Sequence, residues 1–214
     1  MSRVITAISN QKRNPRRVNI ELDGQFAFSL DRLTAAWLTV GSTLSEEKAA
    51  ALLRQDANES AFNNALRLLS YRSRSRKELE QYLQRKGYAP EQQAVVLERL
   101  QAEGYLDDQR FAREWVENRT AFRPRGLRML RMEMRRKGIS DNHIDAAISQ
   151  ASLDEDRLAY QAGIKLARRY KAEPEDIFFK LLASALVRRG FDYETAKTAV
   201  RKIWNEFLEN KHLD

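Results

Sequence analysis

Three glycines recur at nearly equal intervals in this chain. Gly87, Gly138 and Gly190 lie 51 and 52 residues apart, and each follows a basic pair: Arg85-Lys86, Arg136-Lys137 and Arg188-Arg189. The positions around them match. Eight residues before each glycine stands Leu79, Leu130 or Leu182, and four before stands Leu83, Met134 or Leu186. One residue after comes Tyr88, Ile139 or Phe191, and ten after comes Leu97, Ile148 or Val200. Apolar residues four apart share a helix face. A glycine just beyond them suits the left-handed residue that ends a helix, and the apolar residue after it can fold back on the last turn. The basic pair sits where cations favour a helix C-terminus. A period this long in a chain of 214 residues therefore predicts tandem helical units, each too small to bury much core alone.

Each unit reads as three helices. In the first they are expected at 58–71, 75–86 and 90–103, with Ser75 and Glu78 as a capping box and Pro90 at a helix start. In the second they fall at 108–121, 126–137 and 141–151, with Asp107 and Ser140 as N-caps. In the third they fall at 155–171, 175–189 and 193–208, with Asp154, Pro174 and Asp192 at or near the starts. The last helix carries Tyr193, Ala196, Val200, Ile203 and Phe207 as one apolar stripe. The first 30 residues differ in kind. Val18, Ile20 and Leu22 alternate with polar residues, then come Asp23-Gly24, then Phe26, Phe28 and Leu30 alternate. Asp-Gly between alternating runs is a strong hairpin signal. The expected fold is mainly all-α: three tandem three-helix repeats in an elongated array, preceded by a small N-terminal three-stranded β meander. Two linking helices are placed near 31–38 and 45–56. The segments are 1–57, 58–104, 105–152 and 153–214.

Charge follows the same rhythm. The chain holds 38 Lys+Arg against 30 Asp+Glu, a formal +8. Residues 61–100 carry net +4, 111–140 carry +6 and 161–191 carry +4, while 101–110 carry −2 and 141–160 carry −4. The densest block contains Arg119, Arg123, Arg125, Arg128, Arg131, Arg135, Arg136 and Lys137. At ~100° per residue, Leu127, Leu130 and Met134 share one face, and Arg128, Arg131 and Arg135 share its neighbour. Arginine suits bidentate contacts with phosphate or carboxylate. The plain alternative is a solvated face with charges at helix ends, but equivalent positions in three units weigh against chance. Met129 and Met132 point away from the leucine stripe and read as core contacts to an adjacent unit, the alternative being an exposed partner surface.

Enzymatic chemistry has little to stand on. The absence of cysteine removes disulfides, iron–sulfur clusters, thiolate zinc sites and cysteine nucleophiles. His143 and His212 are the only imidazoles, and His143 reads as a surface residue. No phosphate-cradling glycine loop, Ser-x-x-Lys or Gly-x-Ser-x-Gly arrangement occurs. Glu103, Asp107 and Asp108 form the one tempting carboxylate group, better read as helix-start chemistry than as a metal site. Trp37, Trp115 and Trp204 are isolated and expected to pack. No apolar run approaches the ~18–20 residues needed to span a bilayer, and no signal peptide is legible. The expectation is a cytoplasmic protein without catalysis, metal or cofactor, with no membrane partner and monomeric by default.

The motifs then acquire a family. Arg72-Ser73-Arg74-Ser75-Arg76-Lys77-Glu78-Leu79, followed by Leu83 and Lys86-Gly87, resembles the first repeat of the RecX family. Gly104-Tyr105-Leu106-Asp107-Asp108-Gln109-Arg110-Phe111-Ala112 resembles that family's central signature, and Leu130, Met134 and Lys137-Gly138-Ile139 continue it. The stretch Val18–Phe28 resembles the N-terminus of longer members. Met134 stands where leucine is usual, and the third unit matches loosely. The family consists of bacterial regulators of the RecA recombinase. The resemblance implies tandem three-helix repeats and binding to the RecA filament on DNA, along its groove. It also implies inhibition of recombinase, ATPase and coprotease functions, with no catalysis and no cofactor. The contact residues expected from the basic blocks, toward RecA or DNA phosphates, are Arg72, Arg74, Arg76, Arg125, Arg128, Arg131 and Arg135. Gly87, Gly104, Gly138, Leu79 and Phe111 read as fold-makers. Two rival readings are a nucleic-acid-binding module acting alone through its basic helical face, and a helical adaptor for an unrelated acidic protein.

Overall fold

A computed structural model of the chain describes residues 2–211, so His212 lies outside the described residues. Four strands and nine helices are formed among them. They make two compact units. The first holds the chain through Arg72 together with Leu79–Tyr105, and the second holds Ser73–Glu78 and the chain from Leu106 onward.

The first unit opens with an antiparallel sheet of β1 (Ser2–Asn10), β2 (Arg17–Leu22), β3 (Gln25–Asp31) and β4 (Thr43–Ser45), in the order β3-β2-β1-β4. The Asp23-Gly24 turn closes the β2–β3 hairpin with both residues at positive φ, 51° and 79°, as a two-residue turn of matching twist demands. Alternation then buries Val18, Ile20, Leu22 and Leu30 against Ile5, Ala35 and Leu44. The meander has a fourth strand beyond the three expected, because Thr43–Ser45 pairs with the start of β1. The linking helices also differ from expectation. Residues 32–37 form turns, and 45–56 continues unbroken into one helix, α1 (Glu46–Leu69). No glycine or proline interrupts that stretch, and Ser45 caps its start by accepting the Lys48 N–H at 3.2 Å. The turns leave Trp37 91% exposed and Leu33 83% exposed, so Trp37 does not pack as expected. Thr34 and Ala35 point inward in their place.

The helices α2 (Arg76–Arg85) and α3 (Pro90–Ala102) complete the first repeat. The second unit contains α4 (Asp108–Phe122), α5 (Leu127–Arg136) and α6 (Asp141–Ala151), then α7 (Glu155–Ala167), α8 (Glu175–Val187) and α9 (Tyr193–Lys211). The repeat is visible atom by atom. Leu79, Leu130 and Leu182 are fully buried, as are Leu83, Met134 and Leu186. After each marker glycine the next N–H returns to the carbonyl five residues earlier. Tyr88 donates to Leu83 at 3.2 Å, Ile139 to Met134 at 3.1 Å and Phe191 to Leu186 at 3.4 Å. Gly87, Gly138 and Gly190 take φ of 82°, 81° and 94°. These are Schellman endings, and they set the angle at which the third helix of each repeat leaves the second. Asp107, Ser140, Asp154 and Asp192 accept backbone N–H groups as N-caps. Along α9, Ala196, Val200 and Ile203 are fully buried and Phe207 is partly so, but Tyr193 is 62% exposed and stands outside the stripe.

The Ser75–Glu78 capping box forms in both directions at 3.3 Å. Ser75 does a second job. Its hydroxyl donates to the Lys137 carbonyl at 2.7 Å, while Lys137 Nζ meets Glu78 at 2.6 Å. Ser75→Ala would remove a cap and strand a carbonyl at the end of α5. We expect a loss of roughly 2–4 kcal/mol, from ~1 for the cap and ~1–3 for the orphaned acceptor. A urea melt with unchanged slope and a lowered midpoint checks this.

Candidate binding surface

The charged side chains of the second unit fall into two groups, and the helix geometry decides which is which. On α5, Arg128, Arg131 and Arg135 are spaced three and four apart and share one face. Leu130 and Met134 face the core with Phe111, Ala112, Val116, Ile139, Ile144, Ala147 and Ile148. The arginine face is not bare. Arg131 pairs with Asp145 and Arg135 Nε donates to Asp141 at 2.7 Å, both acids coming from α6. Arg128 reaches the Val187 carbonyl at the end of α8 at 3.3 Å. Asp141 holds the Arg135 guanidinium above its ordinary pKa, chiefly through that hydrogen bond. The two ion pairs are solvent-exposed, and solvent screening leaves such pairs weak. A polyanion can displace them at little cost.

The second group surrounds the loop between α4 and α5. Arg119 Nε donates to Glu133 at 2.7 Å, and Trp115 Nε1 donates to the same oxygen at 3.0 Å. Trp115 stacks on Phe111 and lies under Arg119, which sits 4.2 Å from the ring centre. It is thus packed as expected, as is Trp204, whose ring lies 4.9 Å from that of Phe178. Arg125 stands 3.7 Å from the other oxygen of Glu133, beyond hydrogen-bond distance. The expected contact residues on this unit therefore separate: Arg128, Arg131 and Arg135 come together, and Arg125 lies with Arg123 and Arg189. Arg74 and Arg76 are partly buried in the second unit, and the Arg76 N–H donates to Asp108 at 2.8 Å. Arg72 is exposed and belongs to the first unit.

The acids that sequence groups together take ordinary partners. Asp107 caps α4 through the Arg110 N–H at 2.9 Å, and Glu103 accepts from Arg99 at 2.8 Å. Burial raises the pKa of Asp108 against the opposing pull of the Arg76 N–H. No group of three or more His, Asp or Glu side chains poised to hold a metal occurs among the described residues. His143 is partly buried on α6 rather than simply at the surface. No helix among the described residues is long and apolar enough to cross a membrane. Met129 contacts the α8–α9 turn, where a Cβ on Gly190 would lie 2.6 Å from its backbone nitrogen, in line with its reading as a contact to the neighbouring repeat.

The fold and this surface define a helical-repeat protein with an arginine-rich face. Three RecX family models match it: the N-terminal domain of the regulatory protein over residues 3–45, the first three-helix domain over 61–100 and the second over 107–148. Relatives named regulatory protein RecX include that of Bacillus subtilis strain 168, 36% identical over 93% of this chain and 76% of its own length. That of Leuconostoc citreum strain KM20 is 32% identical over 92% and 75%. A crystal structure of regulatory protein RecX superposes with a TM-score of 0.70 at 28% identity, covering 90% of this chain and 96% of the other. RecX from Lactobacillus salivarius shares the fold at a TM-score of 0.59. The chain belongs to the RecX family.

Proposed function

We propose that this protein is a non-enzymatic regulator of RecA that binds the RecA filament on DNA along its groove and inhibits its recombinase, ATPase and coprotease activities. Membership of a family of regulatory proteins over most of the chain carries this reading. The α5 face supports it, with three arginines at helical spacing, two of them held by exchangeable surface pairs and Arg128 by a backbone carbonyl. In this reading Arg128, Arg131 and Arg135 face acidic side chains of RecA or DNA phosphates, with Arg72, Arg74, Arg76 and Arg125 as further contacts. The segment division 1–57, 58–104, 105–152 and 153–214 is part of the same proposal, the repeats engaging neighbouring RecA subunits. Inhibition then requires tighter binding to one filament state than to another. The protein acts in the cytoplasm as a monomer.

The test is ATP hydrolysis by RecA on single-stranded DNA while this protein is titrated in, with RecA and DNA varied separately. Inhibition well below DNA saturation that tracks the amount of filament is the expected result. Inhibition only when the protein coats the DNA, relieved by excess DNA, would overturn it. That outcome would favour a stand-alone nucleic-acid-binding module, for which the gathering of Arg123, Arg125 and Arg189 is the supporting observation.

A further inference from the structure

The second unit contains a cavity of ≈ 280 Å³ lined by Arg123, Pro124, Arg125 and Arg189. It exists because two backbones cross at two glycines. The Gly126 N–H donates to the Arg189 carbonyl at 3.1 Å. A Cβ on Gly126 would fall on the Gly190 carbonyl, so no larger residue allows the approach. The crossing delivers arginines from two different repeats to one place. Pro124 is buried beneath them.

The charges there are compensated only in part, by Glu133 beside Arg125. Glu133 is the acid nearest to Arg125, but one of its oxygens serves Arg119 and Trp115, and the other is 3.7 Å from Arg125 Nε. The Arg125 Nε is buried and has no hydrogen-bond partner. Among the described residues no carboxylate pairs with Arg123 or Arg189. Burial, then Arg125 and Arg169, pushes the Arg189 guanidinium below its ordinary pKa. Like charges gathered in one place repel, a bound anion relieves that repulsion, and arginine's planar fork matches tetrahedral oxyanions. The exposed Phe122 directly precedes Arg123.

We infer that this cavity is a binding site for one phosphate group, held by Arg123, Arg125 and Arg189. A nucleic-acid strand supplies it as a phosphodiester, or a small phosphate compound supplies it free. The inference goes beyond the regulator reading and does not rest on it, because the protein alone should bind.

The test uses the full chain labelled with nitrogen-15 and inorganic phosphate as probe, at constant ionic strength. We expect saturable shifts of the Gly126 and Gly190 amides and the Arg125 and Arg189 Nε–H resonances. Arg189→Gln should raise the half-saturation concentration about 10-fold, because it removes a charge-assisted hydrogen bond to the anion. Lys197→Gln, the same charge removed from α9, should leave it within about 2-fold. Arg123→Gln, at an exposed loop position, provides a second variant if Arg189→Gln folds poorly. An oligothymidylate that saturates the same resonances at lower phosphate concentration assigns the strand as source; weaker saturation than inorganic phosphate assigns a small phosphate compound. Either result supports the site. Shifts that rise without saturating, or equal weakening by Lys197→Gln, would overturn it and leave only diffuse charge. A hexaglutamate peptide that outcompetes phosphate would overturn the phosphate assignment.

Discussion

Gly190→Ala should destabilise the second unit far more than Gly87→Ala destabilises the first, although the two glycines hold equivalent places in the repeat. All three marker glycines have positive φ, and an alanine there costs about 1–2 kcal/mol. What the new methyl meets then separates them. At Gly87 nothing lies within 4 Å. At Gly138 it meets the Lys77 Cβ at 2.7 Å and Cδ at 2.8 Å, side-chain atoms at an exposed position rather than backbone. At Gly190 it meets the Met129 backbone nitrogen at 2.6 Å, which is held in the first turn of α5. Overpacking against backbone adds about 1–3 kcal/mol, for a total near 3–5. The expected order of destabilisation is Gly190→Ala, then Gly138→Ala, then Gly87→Ala, read from chemical denaturation. Equal losses at all three would mean that the α5 start does not pack on the α8–α9 turn as described.

Replacing Arg128, Arg131 and Arg135 together by glutamate should raise the amount of protein needed to inhibit RecA ATP hydrolysis by about 10-fold or more. Each change shifts local charge by two units on one face, and polyanion association depends steeply on such charge. The fold should survive, because what is lost is two exposed ion pairs and one exposed hydrogen bond from Arg128 to the Val187 carbonyl, and solvent screens the new repulsion with Asp141 and Asp145. The opposite perturbation makes the test sharper. Asp141→Asn with Asp145→Asn releases Arg131 and Arg135 and should strengthen inhibition by a fewfold, most visibly at low salt. If the reversed triple variant inhibits like the parent while melting at the same temperature, the α5 face is not the contact surface.

The two arginine groups separate what is legible before folding from what is not. Arg128, Arg131 and Arg135 are legible as a face, since helix period alone places them together. Their partners on α6 are present in sequence as the acidic block at 141–160, but pairing requires the angle between α5 and α6, which the Gly138 turn sets. Arg125 belongs to the same basic block in sequence, and the structure removes it from that face. It lies before the helix begins, so the helical period does not govern it. Arg123 and Arg189 are 66 positions apart in sequence, so no local pattern pairs them. The one available signal is that Gly190 closes the last basic pair, where a close backbone approach is possible.

The repeat is written in local order. Buried positions eight and four before each glycine, the Schellman bonds after it and the N-caps all follow from interactions within about a dozen residues, which local order encodes directly. Local order determined the β2–β3 hairpin for the same reason. Tertiary structure alone decided the fourth strand, the exposure of Trp37 and the cavity of Arg123, Arg125 and Arg189. Thr43–Ser45 becomes a strand because the start of β1 offers an unpaired edge. Trp37 faces outward because Thr34 and Ala35 take the interior places. The arginines meet because Gly126 and Gly190 let two distant backbones touch. Each depends on chain segments far apart in sequence, and no periodicity records which of them will meet.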